Sequence, residues 1–244
     1  MKCCFARIFV ALCLLVSGCE EKEDGNLLKV ATCADYPPFE YYQDGEHLVG
    51  FDIELMEAVA KKLKKNVVFK DMAFGSILTC VENGSVDAAV SAMNPSDEKR
   101  KKFDFSNEYC KSSLFLIYKK DNQVTDITKV GDKKIACQLG CLMHEQFVKE
   151  KAPRAERILT DKVDAAIESL KTGHVDYVVA DAAPAREFCK KNPELTTSFI
   201  ADNSEGYAIL LKKNAPLKNE IDGALDELRA DGTIGILEAK YLNK

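Results

Sequence analysis

Two segments of this chain follow one pattern. E-N-G-S-V-D-A-A-V-S (82–91) and K-T-G-H-V-D-Y-V-V-A (171–180) each pass from a helix end through Gly and Val-Asp into an apolar run. Gly ends helices because it takes a left-handed backbone without a Cβ penalty. The apolar runs that follow read as strands covered on both faces. A helix-to-strand junction repeated nearly half a chain apart predicts two similar α/β halves.

The rest of the pattern agrees. Alternation predicts strands at 27–32, 66–70, 113–118, 134–139 and 207–212, and continuous apolar runs predict buried strands at 86–93 and 175–181. Helical spacing predicts helices at 52–63, 77–81 and 141–150, and a last long helix carrying Leu217, Ile221, Ala224, Leu225 and Leu228. Ser96 is placed to cap the helix that begins D-E-K-R, and Asp161 to cap one carrying Val163, Ala166, Ile167 and Leu170. Pro184 sits at a helix start, where its missing N–H costs little. In α/β sheets ligands bind beyond the carboxyl ends of strands. That rule selects Ser91 to Asn94, Gln138 to Leu142 and Asp181.

The first 19 residues read as an export signal. Lys2 and Arg7 precede a short apolar run, and L-V-S-G-C ends it at Cys19. The run is too short to span a bilayer. A Cys at this point resembles the bacterial lipobox, which implies cleavage before Cys19 and acylation of its thiol. Residues 1–18 are then a signal peptide, and 19–26, polar and acidic, a tether to the lipid. Loss of Lys2 and Arg7 takes the formal charge from −5 to −7. With no dominant basic patch, nucleic acid is not an expected partner. Six cysteines remain after Cys19: Cys33, Cys80, Cys110, Cys137, Cys141 and Cys189. Outside the cytoplasm an even number suits disulfides, yet these can equally be small buried hydrophobes. The lone C-x-x-x-C at Cys137 and Cys141, in a chain with three His, is a poor metal pattern, and no metal or cofactor is expected.

Six motifs in order carry a resemblance: A-D-Y-P-P-F-E (34–40), G-F-D-I-E-L (50–55), E-N-G-S-V-D (82–87), F-D-F-S-N-E-Y (103–109), G-H-V-D-Y-V-V-A-D (173–181) and A-D-G-T-I (230–234). Together they are similar to the amino-acid-binding family of bacterial periplasmic solute-binding proteins, family 3. The resemblance implies a two-lobe clamshell of type II, each lobe a sheet flanked by helices, joined by two hinge strands. Lobe 1 is expected to hold 27–110 and 206–244, and lobe 2 to hold 111–205. It implies a polar L-amino acid trapped between the lobes and delivered to an ABC importer of the inner membrane. A monomer is expected, held by lipid on the outer side of a bacterial membrane.

Carried over by position, the ligand contacts are Cys33, Tyr36, Phe74, Ser91, Ala92, Met93, Asn94, Ser96, Gln138, Gly140, Leu142 and Asp181. Asp181 matches the family's ammonium-binding carboxylate, and Tyr36 and Phe74 match its aromatic walls. The helix starts near Asn94 and Gly140 offer free N–H groups to a carboxylate. The family's carboxylate-binding Arg falls at Lys99 here, with Arg100 next, so either cation is a candidate. Lys binds as a point charge without the guanidinium fork. Cys33 stands where members that bind Arg or Lys often carry an acid, which argues against a strongly cationic ligand, although Asp35 is close by. Two rivals share the fold: a non-transporting sensor lipoprotein and a periplasmic dehydratase of cyclic acids. Catalysis needs a positioned acid or base. The expected pocket has Asp181 and Asp35 but no His, so a binding protein rather than an enzyme is expected.

Overall fold

The computed structural model describes residues 26–242 apart from Ser112, Asn203 and Ser204. The signal peptide, Cys19 and most of the tether lie outside the described residues. In chain order the first part contains β1 (Leu27–Thr32), a meander of β2 (Asp35–Tyr36), β3 (Glu40–Gln43) and β4 (His47–Val49), α1 (Phe51–Lys62), β5 (Asn66–Asp71), α2 (Phe74–Glu82), β6 (Ala88–Ala89), α3 (Asp97–Lys102) and β7 (Phe103–Phe105). A second part follows with β8 (Ser113–Lys119), β9 (Lys134–Gln138), α4 (Leu142–Lys151), β10 (Glu156–Thr160), α5 (Val163–Thr172), β11 (Tyr177–Asp181), α6 (Ala182–Lys191) and β12 (Leu195–Asp202). The chain then returns through β13 (Leu210–Lys212), α7 (Leu217–Ala230) and α8 (Thr233–Tyr241).

Two five-stranded sheets result, in the orders β5-β1-β6-β13-β7 and β10-β9-β11-β8-β12. In each, strands joined through a helix run parallel, as β1 with β5 and β9 with β10. The strands that enter and leave by the crossings, β8, β12 and β13, pair antiparallel. The crossings meet at an antiparallel bridge between Cys110 and Tyr207, whose N–H donates to the Cys110 carbonyl at 2.7 Å. An apolar cluster runs through this junction. Tyr207 packs edge-on to Phe39, with centroids 5.1 Å apart, and Phe51 stacks on Tyr109.

The strand expected at 86–93 is ladder-paired only at Ala88–Ala89. Beyond it Ala92 takes φ 42°, a left-handed backbone that L residues avoid at a cost of about 1–2 kcal/mol. Its N–H donates to Asp52 Oδ2 at 2.7 Å, and Asp52, on α1, is fully buried. That charge-assisted bond holds the kink. Ser96 caps α3 through its Oγ as expected. Asp161 caps nothing: the N-cap of α5 is Lys162, and the first amide, Val163 N–H, donates to Asp35 Oδ2 at 2.9 Å from the other sheet's side of the molecule. α2 begins at Phe74 rather than 77, and the strand at 207–212 is regular only from Leu210. The meander β2–β4, the edge strands β10 and β12, and α8 add to the expected elements.

Candidate functional site

The two sheets present their strand ends to one narrow, nearly closed cleft of about 10 Å³. From the first part of the chain come Cys33 after β1, Tyr36 on β2 of the meander, Ser91 and Ala92 after β6, and Phe74 opening α2. From the second come Gln138 ending β9, Asp181 ending β11, and Cys141 and His144 at the start of α4. Side chains reach across. Tyr36 Oη donates to Asp181 Oδ2 at 2.7 Å and accepts the Asp181 N–H at 2.9 Å. Gln138 Nε2 lies 3.8 Å from Cys33 Sγ, and the Asp35–Val163 bond closes the same gap.

The charges are divided. Asp181 is 2% exposed and lies 3.5 Å from His144 Nε2, an imidazole 3% exposed. Burial disfavours charge on His144, but the Cys141 thiol and Asp181 outweigh it and raise the ring to about 10. Burial likewise resists ionisation of Cys141, and His144 with Lys99 overcomes it, holding the thiol below its ordinary range. Lys99 is buried; its ammonium donates to the Asn94 carbonyl at 3.3 Å and sits 5.9 Å from the Phe74 ring centroid. Burial lowers its pKa, and Cys141 and Glu205 pull the other way. Burial raises Asp35 against the pull of the Val163 amide, and raises Cys33 beside it.

Beneath the floor lies a carboxyl pair. Ser91 Oγ donates to Glu40 Oε1 at 2.8 Å, while Asp52 Oδ2 accepts both the Ala92 N–H and, at 2.9 Å, the Tyr109 hydroxyl. Burial, then Asp52, drives Glu40 well above its ordinary value, and burial pushes Asp52 to about 6. Of the two, Glu40 holds its proton more tightly, because burial and the neighbouring Asp52 both disfavour its anion.

Of the expected contacts, Cys33, Tyr36, Phe74, Ser91, Ala92, Gln138 and Asp181 converge on the cleft. Gly140 lines a separate pocket with Gly75 and Leu139, and a Cβ there would stand 3.2 Å from the Gly75 Cα. Asn94 turns aside to donate to the Glu205 carbonyl at 2.9 Å, and with Ser96 and Leu142 it lines a separate groove between α3 and α4. Met93 is core, 1% exposed. Neither of the two cations lines the cleft itself; Lys99 is buried beside Phe74, which does. Arg100 points out, its side chain 46% exposed and 3.9 Å from Glu205. All six described cysteines are free thiols, so the disulfide alternative is not realised among them.

Sequence reasoning missed Glu40 and His144, reached Cys141 only as part of the stretch from Gln138 to Leu142 and not for its thiol, and its expectation of a pocket without His is corrected. A signal was present. Cys141 and His144 stand three residues apart at a predicted helix start, a spacing that puts both on one face. A lone His in such a helix ordinarily reads as a packed or exposed residue.

Sequence comparison matches residues 28–244 to the bacterial extracellular solute-binding proteins, family 3. The chain belongs to that family. It is 29% identical over 246 residues to the arginine-binding extracellular protein ArtP of Bacillus subtilis, covering 96% of each chain. Its fold is that of the two-lobe periplasmic binding proteins. An ancestral arginine-binding protein solved with arginine bound superposes at TM-score 0.84 with 34% identity, covering 89% of this chain and 98% of that one. The glutamine-bound form of such an ancestral protein gives 0.86, also at 34% identity, covering 90% and 99%.

Proposed function

We propose that this protein binds a polar, uncharged-side-chain L-amino acid between its lobes and delivers it to an ABC importer. The observation that carries this reading is the division of charge in the cleft. Asp181 suits an α-ammonium; Lys99, with the N-terminus of α4, suits an α-carboxylate. Docking requires the ammonium to replace the Tyr36 hydroxyl on Asp181. Phe74 and Tyr36 then flank the ligand's carbon chain.

The bound relatives include arginine and glutamine complexes, so the fold accepts both a cationic and a neutral side chain. Here the neutral choice is better supported. Both Asp35 oxygens are engaged, Oδ2 by Val163 N–H and Oδ1 by the Cys33 thiol at 3.3 Å, and Glu40 carries a proton. Beyond Asp181, which the α-ammonium takes, no uncommitted carboxylate lines the cleft among the described residues, and Cys33 is neutral.

The lobes divide at the Cys110–Tyr207 bridge, with 27–110 and 206–244 in lobe 1 and 111–205 in lobe 2, and closure is a hinge motion about it. L-V-S-G-C supports export and lipid attachment at Cys19. Thermal shifts against the twenty amino acids, cystine and ornithine test the reading. A ligand at ~100 times its Kd adds about 2.7 kcal/mol of stability. Absence of a shift with every one, or turnover of a cyclic acid, overturns it.

A further inference from the structure

The cleft holds a group that zwitterion binding does not require, a thiol set beside a buried imidazole. Cys141 is the N-cap of α4, a ten-residue helix, and is half-buried at the cleft wall. His144 follows on the same face, 3% exposed; its Nε2 lies 3.5 Å from Asp181 Oδ2, and its Nδ1 has no hydrogen-bond partner. Asp181 Oδ1, facing the same space, is also unpartnered. Buried polar atoms without partners are costly, and at a cleft they mark where a ligand or a charge is to be accommodated. The groups facing Cys141 come from five elements. His144 on α4 and Lys99 on α3 favour its anion, as does the helix N-terminus; Asp181 on β11 and Tyr36 on β2 stand on the other side. Cys137 on β9 is near too, a buried thiol pushed up to about 12 by that burial.

We propose that Cys141 is a nucleophilic thiolate within the ligand cleft, and that the cleft takes amino acids carrying a disulfide, with cystine as the type, by thiol–disulfide exchange. This rests on the amino-acid-binding reading above. The ligand's head group docks on Asp181 and Lys99, and its near sulfur meets Cys141 Sγ. The thiolate attacks that sulfur; a Cys141–ligand S–S bond forms as the ligand's own S–S bond breaks. The far half leaves as a thiolate and takes a proton from water. One disulfide is consumed and one is made, so no outside oxidant is needed. Attack by the departed thiol reverses the step and frees the ligand. Among the described residues every cysteine is free, so no second thiol of this chain is bonded to Cys141 beforehand.

The test uses the reduced, exported protein. It is mixed with cystine or with hydroxyethyl disulfide, which lacks the head group, quenched with acid, and mapped by mass spectrometry. The expected result is a half-cystine on Cys141 at least tenfold faster than on the other five described thiols, and at least tenfold faster than from hydroxyethyl disulfide. The pH profile of iodoacetamide alkylation at Cys141 inflects below the ordinary thiol value of about 8.5 and moves up toward it in His144→Gln. Modification spread evenly over the thiols, or an ordinary profile at Cys141 unchanged by His144→Gln, overturns the proposal. Equal rates with both disulfides overturn the head-group docking. Thermal shifts with amino acids lacking sulfur report the underlying reading separately: a protein that binds those but forms no adduct refutes only the exchange.

Discussion

Removal of the Asp35 carboxylate should open the molecule. Its Oδ2 accepts the first amide of α5 across the cleft at 2.9 Å, and α5 has no side-chain cap of its own. The bond exists only when the two sheets are brought together, so its free energy belongs to the closed form. Loss of an N-cap side chain costs about 1 kcal/mol, within a range of roughly 0.5–2. The charge at the helix N-terminus adds about 0.3–1 kcal/mol. Burial raises Asp35 and cancels part of that second contribution. A net loss of about 1–2 kcal/mol lowers the closed-to-open ratio roughly 5- to 30-fold at ~1.4 kcal/mol per decade. Affinity for an amino acid that is held by both lobes should fall by a similar factor. Asp35→Asn keeps an oxygen acceptor without the charge and should fall in between. Calorimetry with whichever amino acid gives the largest thermal shift, and small-angle scattering with and without it, measure both effects. Binding of Asp35→Ala within twofold of the parent, with unchanged compaction, would refute the latch.

Three further outcomes are expected. Lys99→Ala should lose roughly 30-fold or more in affinity, since truncating one partner of a buried charge pair costs about 2–5 kcal/mol, while Arg100→Ala stays within about threefold; calorimetry giving the reverse order would place the carboxylate on Arg100. Glu40 is driven up by burial and by Asp52, so the folded state holds this proton more tightly than the unfolded chain does; stability from it is complete at low pH and is lost as pH rises. Glu40→Gln carries no such proton, and its denaturant midpoint relative to the parent should rise steadily from pH 5 to pH 9; a constant difference would show that Glu40 ionises normally. Gly50 lies at φ 137°, with Phe39 O only 2.0 Å from where a Cβ would stand; Gly50→Ala should cost more than about 2 kcal/mol or prevent folding, and a thermal midpoint equal to the parent's would contradict this geometry.

The sheets were legible where burial was two-sided. β11 and its repeat partner announced themselves as apolar runs after Gly, and α5 and α7 by helical spacing. β10 and β12 were not, because each is an edge strand with little buried surface: E-R-I-L-T is exposed or half-buried throughout, and in β12 only Leu195 is buried. The early end of β6 was hidden as well: Ala92 is kinked by Asp52, forty residues away in sequence, and nothing in S-A-M-N announces a partner on α1. At the site, residues lying at strand ends were found, and those whose role depends on tertiary contact were not. Asp161 has the right type and place for a cap, yet a carboxylate from the opposite sheet takes that amide. Lys99 and Arg100 are adjacent and chemically alike, and only the rotation of α3 separates them.

The place of β13 has a consequence for how the chain acquires its shape. This strand lies between β6 and β7, inside a sheet whose other members are all made before residue 106. Residues 113–202 can assemble their own sheet as soon as they are available, but the earlier one has a gap in its middle until Leu210–Lys212 arrives. The half that begins the chain is therefore the half that finishes folding. The cleft, which needs both sheets, comes into being only at the end.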